Sequence, residues 1–334
     1  MRLHPQQCVS VLTCLLPLSR AVPSPPIPQF TPLKISSADA SLLNFTLAAV
    51  IPADFTITPS LPLDEPVLNA RNTLILTLHA LGRLGVDDFE EEQRSQTWRS
   101  LQHVSIDILG PSKVVESSLP MRKYALWGIY KAIHLMVAHN DFRSRNYELY
   151  SQEALVGYVG FNNGVYDTLS NGNGTKDNAT GRDSRKRSLS VVPTTLANAT
   201  MVDPGSVVTF AFELNGRTIG QSNVFMTLFT GILKAAPYSK AERVQAFFLN
   251  SVTFNTYLSF TAREDPGPEG PFFEYEQLIQ VLGNLPTWVM AHGNRWTEAD
   301  MVVSIDDVDV GAGFLRWQVR EGVGVVDGGD VTTS

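Results

Sequence analysis

Cysteine is nearly absent. The 334 residues contain two, Cys8 and Cys14, and both lie in the apolar N-terminal run. Past that run nothing can form a disulfide or a thiolate metal site, so the fold must rest on its hydrophobic cores. Basic charge is also scarce: 26 Lys and Arg face 33 Asp and Glu, a formal charge of −7, with no basic stripe. A phosphate backbone needs such a stripe, so no nucleic acid partner is expected. No segment reaches the apolar length of a membrane span, and the tail Val325 to Ser334 lacks the hydrophobic stretch of a lipid-anchor signal. The common hydrolase signatures, Gly-x-Ser-x-Gly and His-Glu-x-x-His, are missing. Gly322-Val323-Gly324 opens no helix and makes a poor phosphate cradle. No cofactor and no metal is expected.

What is present begins with a leader. Arg2 precedes an apolar run from Cys8 to Leu18, and Ser19-Arg20-Ala21 places small residues at the two positions that signal peptidase reads. Residues 1–21 are expected to be a cleaved signal peptide, and the mature protein to be secreted and extracellular. A Pro-rich segment, 22–40, follows.

The rest reads as a duplication. Ala138-His139-Asn140 and Ala291-His292-Gly293 each follow an apolar helix-like stretch and stand 153 residues apart (292 − 139). At the same spacing Gly160-Phe161 meets Gly313-Phe314, and at a spacing of 154 (198 − 44) Leu42 to Thr46 resembles Leu196 to Thr200. Two tandem α+β repeats, 41–162 and 205–320, are expected, each ordered strand, helix, strand, helix, strand. The polar/apolar alternation of the strands favours helices packed on one side of mixed or antiparallel sheets, with a parallel α/β sheet as the alternative. In the first repeat the pattern predicts a helix opened by Glu65-Pro66 with Asp64 as cap. A strand over His103 to Leu109, a helix carrying Trp127, Tyr130, Ile133 and Val137, and a strand-like stretch from Tyr147 to Phe161 complete it. The second predicts a strand from Val207 to Leu214 turning at Asn215-Gly216, then a helix over Gln221 to Ala235. A β-rich stretch from Phe247 to Thr261 follows, then a helix preceded by Pro271 and running to about Ala291 with a break near Pro286, and Met301 to Trp317 closes the unit.

Residues 163–204 read as a disordered linker, poor in large apolar residues, and 321–334 as a flexible tail. Four sequons, at Asn44, Asn173, Asn178 and Asn198, predict N-glycosylation in a secreted chain. Lys186-Arg187 resembles the dibasic cleavage site of kexin-like secretory proteases, although a solvated charge run would look the same.

The remaining site candidates are weak. His139 and His292 suit helix ends, since each precedes Asn140 or Gly293, residues at ease in the left-handed conformation. Asp306, Asp307 and Asp309 cluster in a strand-like segment without the spacing of a calcium loop. Trp127 and Trp288 belong to helix cores, whereas Trp296, beside Asn294 and Arg295, is the candidate for an exposed ligand surface. Together these features point to a secreted glycoprotein that binds an unknown extracellular ligand or protein in the groove between its repeats, without catalysis. A secreted hydrolase working through paired carboxylates is the alternative, and it requires two acids converging in a cleft.

Overall fold

The computed structural model describes residues 51–60, 65–99, 103–111, 119–163, 199–203, 206–263 and 270–318. All belong to one compact unit, Ile35–Ser334. The leader, the Pro-rich segment, the tail, Asp64, Asn44, Asn173, Asn178, Asn198 and Lys186-Arg187 lie outside the described residues.

The first repeat runs β1 (Phe55–Pro59), α1 (Ala70–Gly85), β2 (Gln96–Arg99), β3 (Val104–Leu109), α2 (Arg122–His139), β4 (Arg145–Ser151) and β5 (Ala154–Asn163). The second runs β6 (Ala199–Asp203), β7 (Ser206–Thr218), α3 (Gln221–Ala235), β8 (Ala246–Ser251), β9 (Thr256–Ala262), α4 (Tyr275–Ala291), β10 (Thr297–Ile305) and β11 (Val308–Trp317). The sheets are ordered β1-β4-β5-β3-β2 and β6-β7-β10-β11-β9-β8, so five strands of the second repeat its partner's order and β6 is added at one edge. Every described strand pair is antiparallel. The fold is therefore α+β, two tandem similar units with helices on antiparallel sheets, and the parallel alternative is set aside.

Several expected elements fall differently, for local reasons. The stretches read as single strands over Tyr147–Phe161 and Met301–Trp317 are hairpins, because Gln152, Glu153, Asp306 and Asp307 all take positive φ, the geometry of tight hairpin turns. The β-rich stretch after α3 is likewise a hairpin, β8–β9. Asn215-Gly216 makes a bulge rather than a turn: β7 continues to Thr218, and Gly216, at φ 64°, lies where the register against β10 shifts. The first helix starts at Ala70, capped by Asn69, whose side chain accepts from Asn72 N at 3.0 Å. Pro66 stays outside it, because Leu68 N donates to Phe142 O and Val67 bridges Arg143. The fourth helix starts at Tyr275 and continues through Pro286. Residues 199–203, placed in the linker by composition, pair with β7.

The duplication is written in backbone bonds more clearly than in letters. Arg122 N donates to Glu91 O and Tyr275 N to Glu242 O; Gln93 N donates to Pro120 O and Val244 N to Phe273 O; Ile219 N donates to Trp296 O as Leu68 N does to Phe142 O. The spacing is 153 for the second helix (275 − 122) but 154 for the closing hairpin (306 − 152), one residue having entered between them. The ungapped match of Gly160-Phe161 with Gly313-Phe314 is thus off by one, which in a strand reverses the face. Phe161 corresponds to Leu315, both buried, while Phe314 points outward.

Each sheet buries one face under its own two helices, and the helices of the two repeats pack directly on one another. The layers run sheet, helices, helices, sheet. One continuous core joins them. Gly85 on α1 permits the close approach: a Cβ there would stand 3.0 Å from Ile232 Cγ2 and 3.5 Å from Ile279 Cγ2. Across the same interface Tyr130 and Thr230 hydroxyls bond at 3.1 Å, and His134 meets the edge of Phe254. The expected ligand groove between the repeats is accordingly filled by helices, because each unit must cover an apolar helix layer that its own sheet does not reach.

Candidate functional site

With the helices turned inward, the outward sheet faces carry the polar and aromatic side chains that remain. Alternation assigns them. In the first sheet Phe55, Tyr147, Leu149, Val159, Phe161, Ile106 and Ile108 point to the core, which sends Asn146, Glu148, Tyr158, Gly160, Asn162 and Asp107 to the other side. Tyr150 follows inward Leu149 and so points outward as well, while the register shift beside it places an extra residue, Val156, in β5.

These groups are bonded among themselves. Asn162 Nδ2 donates to Asp107 Oδ2 at 2.7 Å, Ser144 Oγ donates to Asn162 Oδ1 at 3.3 Å, and Tyr150 Oη donates to Glu148 Oε2 at 2.6 Å. Partial burial, with the Glu148 carboxylate nearby, pushes the Tyr158 hydroxyl above its usual range. The hydrogen bond to Glu148 raises Tyr150. Gly160, between Asn146 and Asp107, leaves a notch roofed by the Asn146 amide.

The second sheet carries its counterpart. Met301, Val303, Phe260 and Leu315 point inward, so Glu298, Asp300, Phe314, Arg316, Tyr257 and Asn215 point outward. Asp300 is the hub: one oxygen pairs with Arg316 and the other accepts from Asn215. Arg316 also reaches Asn215 Oδ1 at 3.4 Å and Ala299 O at 3.0 Å, while its guanidinium lies 5.1 Å from the Phe314 ring centre. Phe314 in turn sits 5.7 Å from the Tyr257 ring. Burial raises the Tyr257 hydroxyl. Val302, 1% exposed, and Ser259, 2% exposed, form the floor between these side chains.

The candidates read from sequence land elsewhere. Trp296 is not an exposed ring but 8% exposed, packed 5.2 Å from Phe225, with its indole N–H donating to Asn294 Oδ1. It is the counterpart of Phe142, pulled inward by the backbone bond from Ile219 to its own carbonyl. His139 ends α2, followed by Asn140 in the left-handed conformation. His292 is the C-cap of α4, stacked 4.1 Å from Trp288, with Gly293 at φ 94° after it. The two histidines do terminal work and form no shared site.

Asp306 and Asp307 make the β10–β11 turn instead of lying in a strand. Asp306 Oδ1 accepts from Val207 N at 2.8 Å, and Asp309 is held by Ser304 and Arg263. Among the described residues no cluster of three or more His, Cys, Asp or Glu side chains is arranged to hold a metal. Among them, too, no helix is long and apolar enough to cross a membrane. Sequence reading missed Asp300, Arg316, Asn215 and Tyr257, although the outward half of each alternating strand was there to be read.

No family model and no curated protein matches this chain. Among solved structures, the tandem DUF26 ectodomain of the Arabidopsis thaliana cysteine-rich receptor-like protein PDLP8 aligns over 78% of this chain and 98% of its own, at 6% identity and a TM-score of 0.22. A tesB protein of Mycobacterium avium subs paratuberculosis aligns over 82% of this chain and 100% of its own, at 10% identity and a TM-score of 0.13. Likenesses this slight carry no weight for fold or function, and the functional reading stands on the geometry above.

Proposed function

We propose that this chain is a secreted, N-glycosylated binding protein of two repeats, whose ligand surface is the outward sheet face rather than the space between the repeats. The observation that carries the reading is the closed polar network around Asp300. Its carboxylate is committed to Arg316 and Asn215, which suits fixed recognition better than proton transfer. The carboxylate hydrolase has less support. Glu274 is held above the usual carboxylate range by burial and by Glu276, but it serves in a capping box with Gln277 at the start of α4, and Glu276 lies two residues along the same helix. Secretion and glycosylation are supported by the residues of the leader and the four sequons.

The test uses protein recovered from the medium of its native host. Intact mass before and after deglycosylation, with N-terminal sequencing, should give a chain starting near Val22 that loses glycan mass; a second start at Ser188 would show that Lys186-Arg187 is cut. Hydrogen exchange in the presence of extracellular material from that host should then protect β4, β5, β10 and β11. Steady release of a hydrolysed product with no such protection would overturn the reading in favour of catalysis.

A further inference from the structure

Resting on the secretory part of that reading, we infer that the chain is cut after Lys186-Arg187 and that its two repeats remain one particle, each the non-covalent partner of the other. The interaction surface is the pair of helix layers. Strands β1 to β5 all precede the cut and β6 to β11 all follow it, so both sheets survive whole and none of the described strand ladders crosses the break. What crosses is the packing of α1 on α3 and α4, and of α2 on α3. The chain's two cysteines, Cys8 and Cys14, stand ahead of both repeats, and the product after the cut has none. No disulfide can therefore tie the two polypeptides, and packing alone must hold them.

That packing has the character of a core. Gly85 lets α1 approach Ile232 and Ile279 of the other repeat, both fully buried. Tyr130 and Thr230, buried as well, bond hydroxyl to hydroxyl, and the His134 ring meets the edge of Phe254. Around them the apolar side chains of both repeats form one cluster. Parting the repeats would bring an apolar helix layer of each to water, and an interface that resembles a core cut in half is that of obligate partners. Lys240 of the second repeat adds opposite charge beside Asp87 and Asp88 of the first.

The covalent connection is not needed for this geometry. Between Asn163 and Ala199 lie 35 residues (199 − 163 − 1). Layers about 10 Å apart put the two sheets about 30 Å from one another, a distance that about ten extended residues span. The connection is long enough to leave the position of the repeats to their interface, and what it supplies is effective concentration. Cutting it turns a unimolecular fold into a bimolecular one, whose stability falls on dilution. Neither half is then a functional unit by itself, and a search for separate activities in the two products would look in the wrong place.

The experiment digests the full mature chain with a purified kexin-like protease. Sequencing should add a start at Ser188, and size exclusion with light scattering at micromolar concentration should return the mass of the uncut chain, with urea needed to part the products. The melting temperature of the uncut chain should not depend on its concentration, whereas that of the cut form should drop by about 5 °C or more over a hundredfold dilution. Gly85→Val should raise the concentration at which half the products have parted at least fivefold. Tyr130→Phe, a milder change that keeps the fold, should raise it by about fivefold. Products that elute apart at once, or a cut form whose melting ignores dilution, would overturn the partnership. A chain that the protease leaves whole, or host material with a single start, would overturn the cut. Neither result touches the ligand surface, which is tested by protection of the outward strands, and a chain missing from the host medium would sink the secretory reading itself.

Discussion

The loop that follows the first helix of each repeat meets the start of the second helix through the same backbone bonds, yet the side chains at this place share no chemistry. In the first repeat Arg122 is 6% exposed and bonds Gln93 Oε1 at 3.1 Å, the Asp88 carbonyl, Glu91 and Asp87. In the second, Tyr275 occupies the place of Arg122 and stacks on Tyr238, which stands where Asp87 does, with ring centres 4.3 Å apart. Val244 replaces Gln93, so the buried acceptor has vanished along with the guanidinium. An ion-paired node and an aromatic stack thus solve one packing problem twice. What a duplication holds fixed is the backbone tether and the volume; polarity can invert provided the partners change together.

Exchanging one partner alone should therefore cost most. Tyr275→Arg brings a guanidinium to a site where Val244 cannot accept a bond, and about 3 kcal/mol of stability or more should be lost in chemical denaturation. Arg122→Met leaves Gln93 and the Asp88 carbonyl without their donor, for a loss of about 2–3 kcal/mol. If Tyr275→Arg were neutral, the two nodes would be interchangeable and the coupling argument would fail. Next in size comes Gly85→Val, which forces side-chain atoms between α1 and the Ile232 and Ile279 methyl groups. A loss of about 1–3 kcal/mol is expected. Because the core is continuous, both sheets should still melt in one transition; two transitions would show that the repeats are stable apart.

The helices were legible because their apolar faces recur at helical spacing: Trp127, Tyr130 and Ile133 are all buried, as the period implies. The duplication was legible from the matched helix ends at His139 and His292. The hairpins were not, since Gln152-Glu153 and Asp306-Asp307 bear none of the usual turn glycines and their positive φ is imposed by strand pairing. Nor could the sequence show which polar residues meet. Asp300 and Arg316 come together only once β10 and β11 pair, and Asn215 joins them from β7, far earlier in the chain. Trp296 misled for the opposite reason: its neighbours Asn294 and Arg295 are exposed, but a single backbone bond decides where its own ring goes.

Smaller effects sharpen the picture of how the repeats are joined. Tyr130→Phe removes the hydroxyl contact to Thr230 while Thr230 keeps its bond to Met226 O, so about 1 kcal/mol should be lost.

The smallest effect is read by pH. Lys240 lies in the loop after α3, donating to Ala236 O and Tyr238 O, with Asp87 and Asp88 of the first repeat, Glu276, and the like-charged Arg122 around it. Burial outweighs those acids and lowers its pKa from 10.5 to about 8. Between the two values the unfolded chain holds a proton that the folded one has released, so stability attributable to Lys240 rises as pH climbs from about 8 towards 10.5. Tyr275 acts oppositely, because burial, followed by Tyr238 and Glu242, raises it to about 12. Above the ordinary tyrosine value of 10 the unfolded chain loses a proton the folded one keeps, and stability falls. Thermal melts from pH 7 to 11 should show a shallow rise turning over near pH 10. Lys240→Met should reduce the rise, to which Lys131 and Lys234, also lowered by burial, contribute, and keep the fall. A variant whose rise equals that of the unaltered chain would remove Lys240 from the electrostatic link between the repeats.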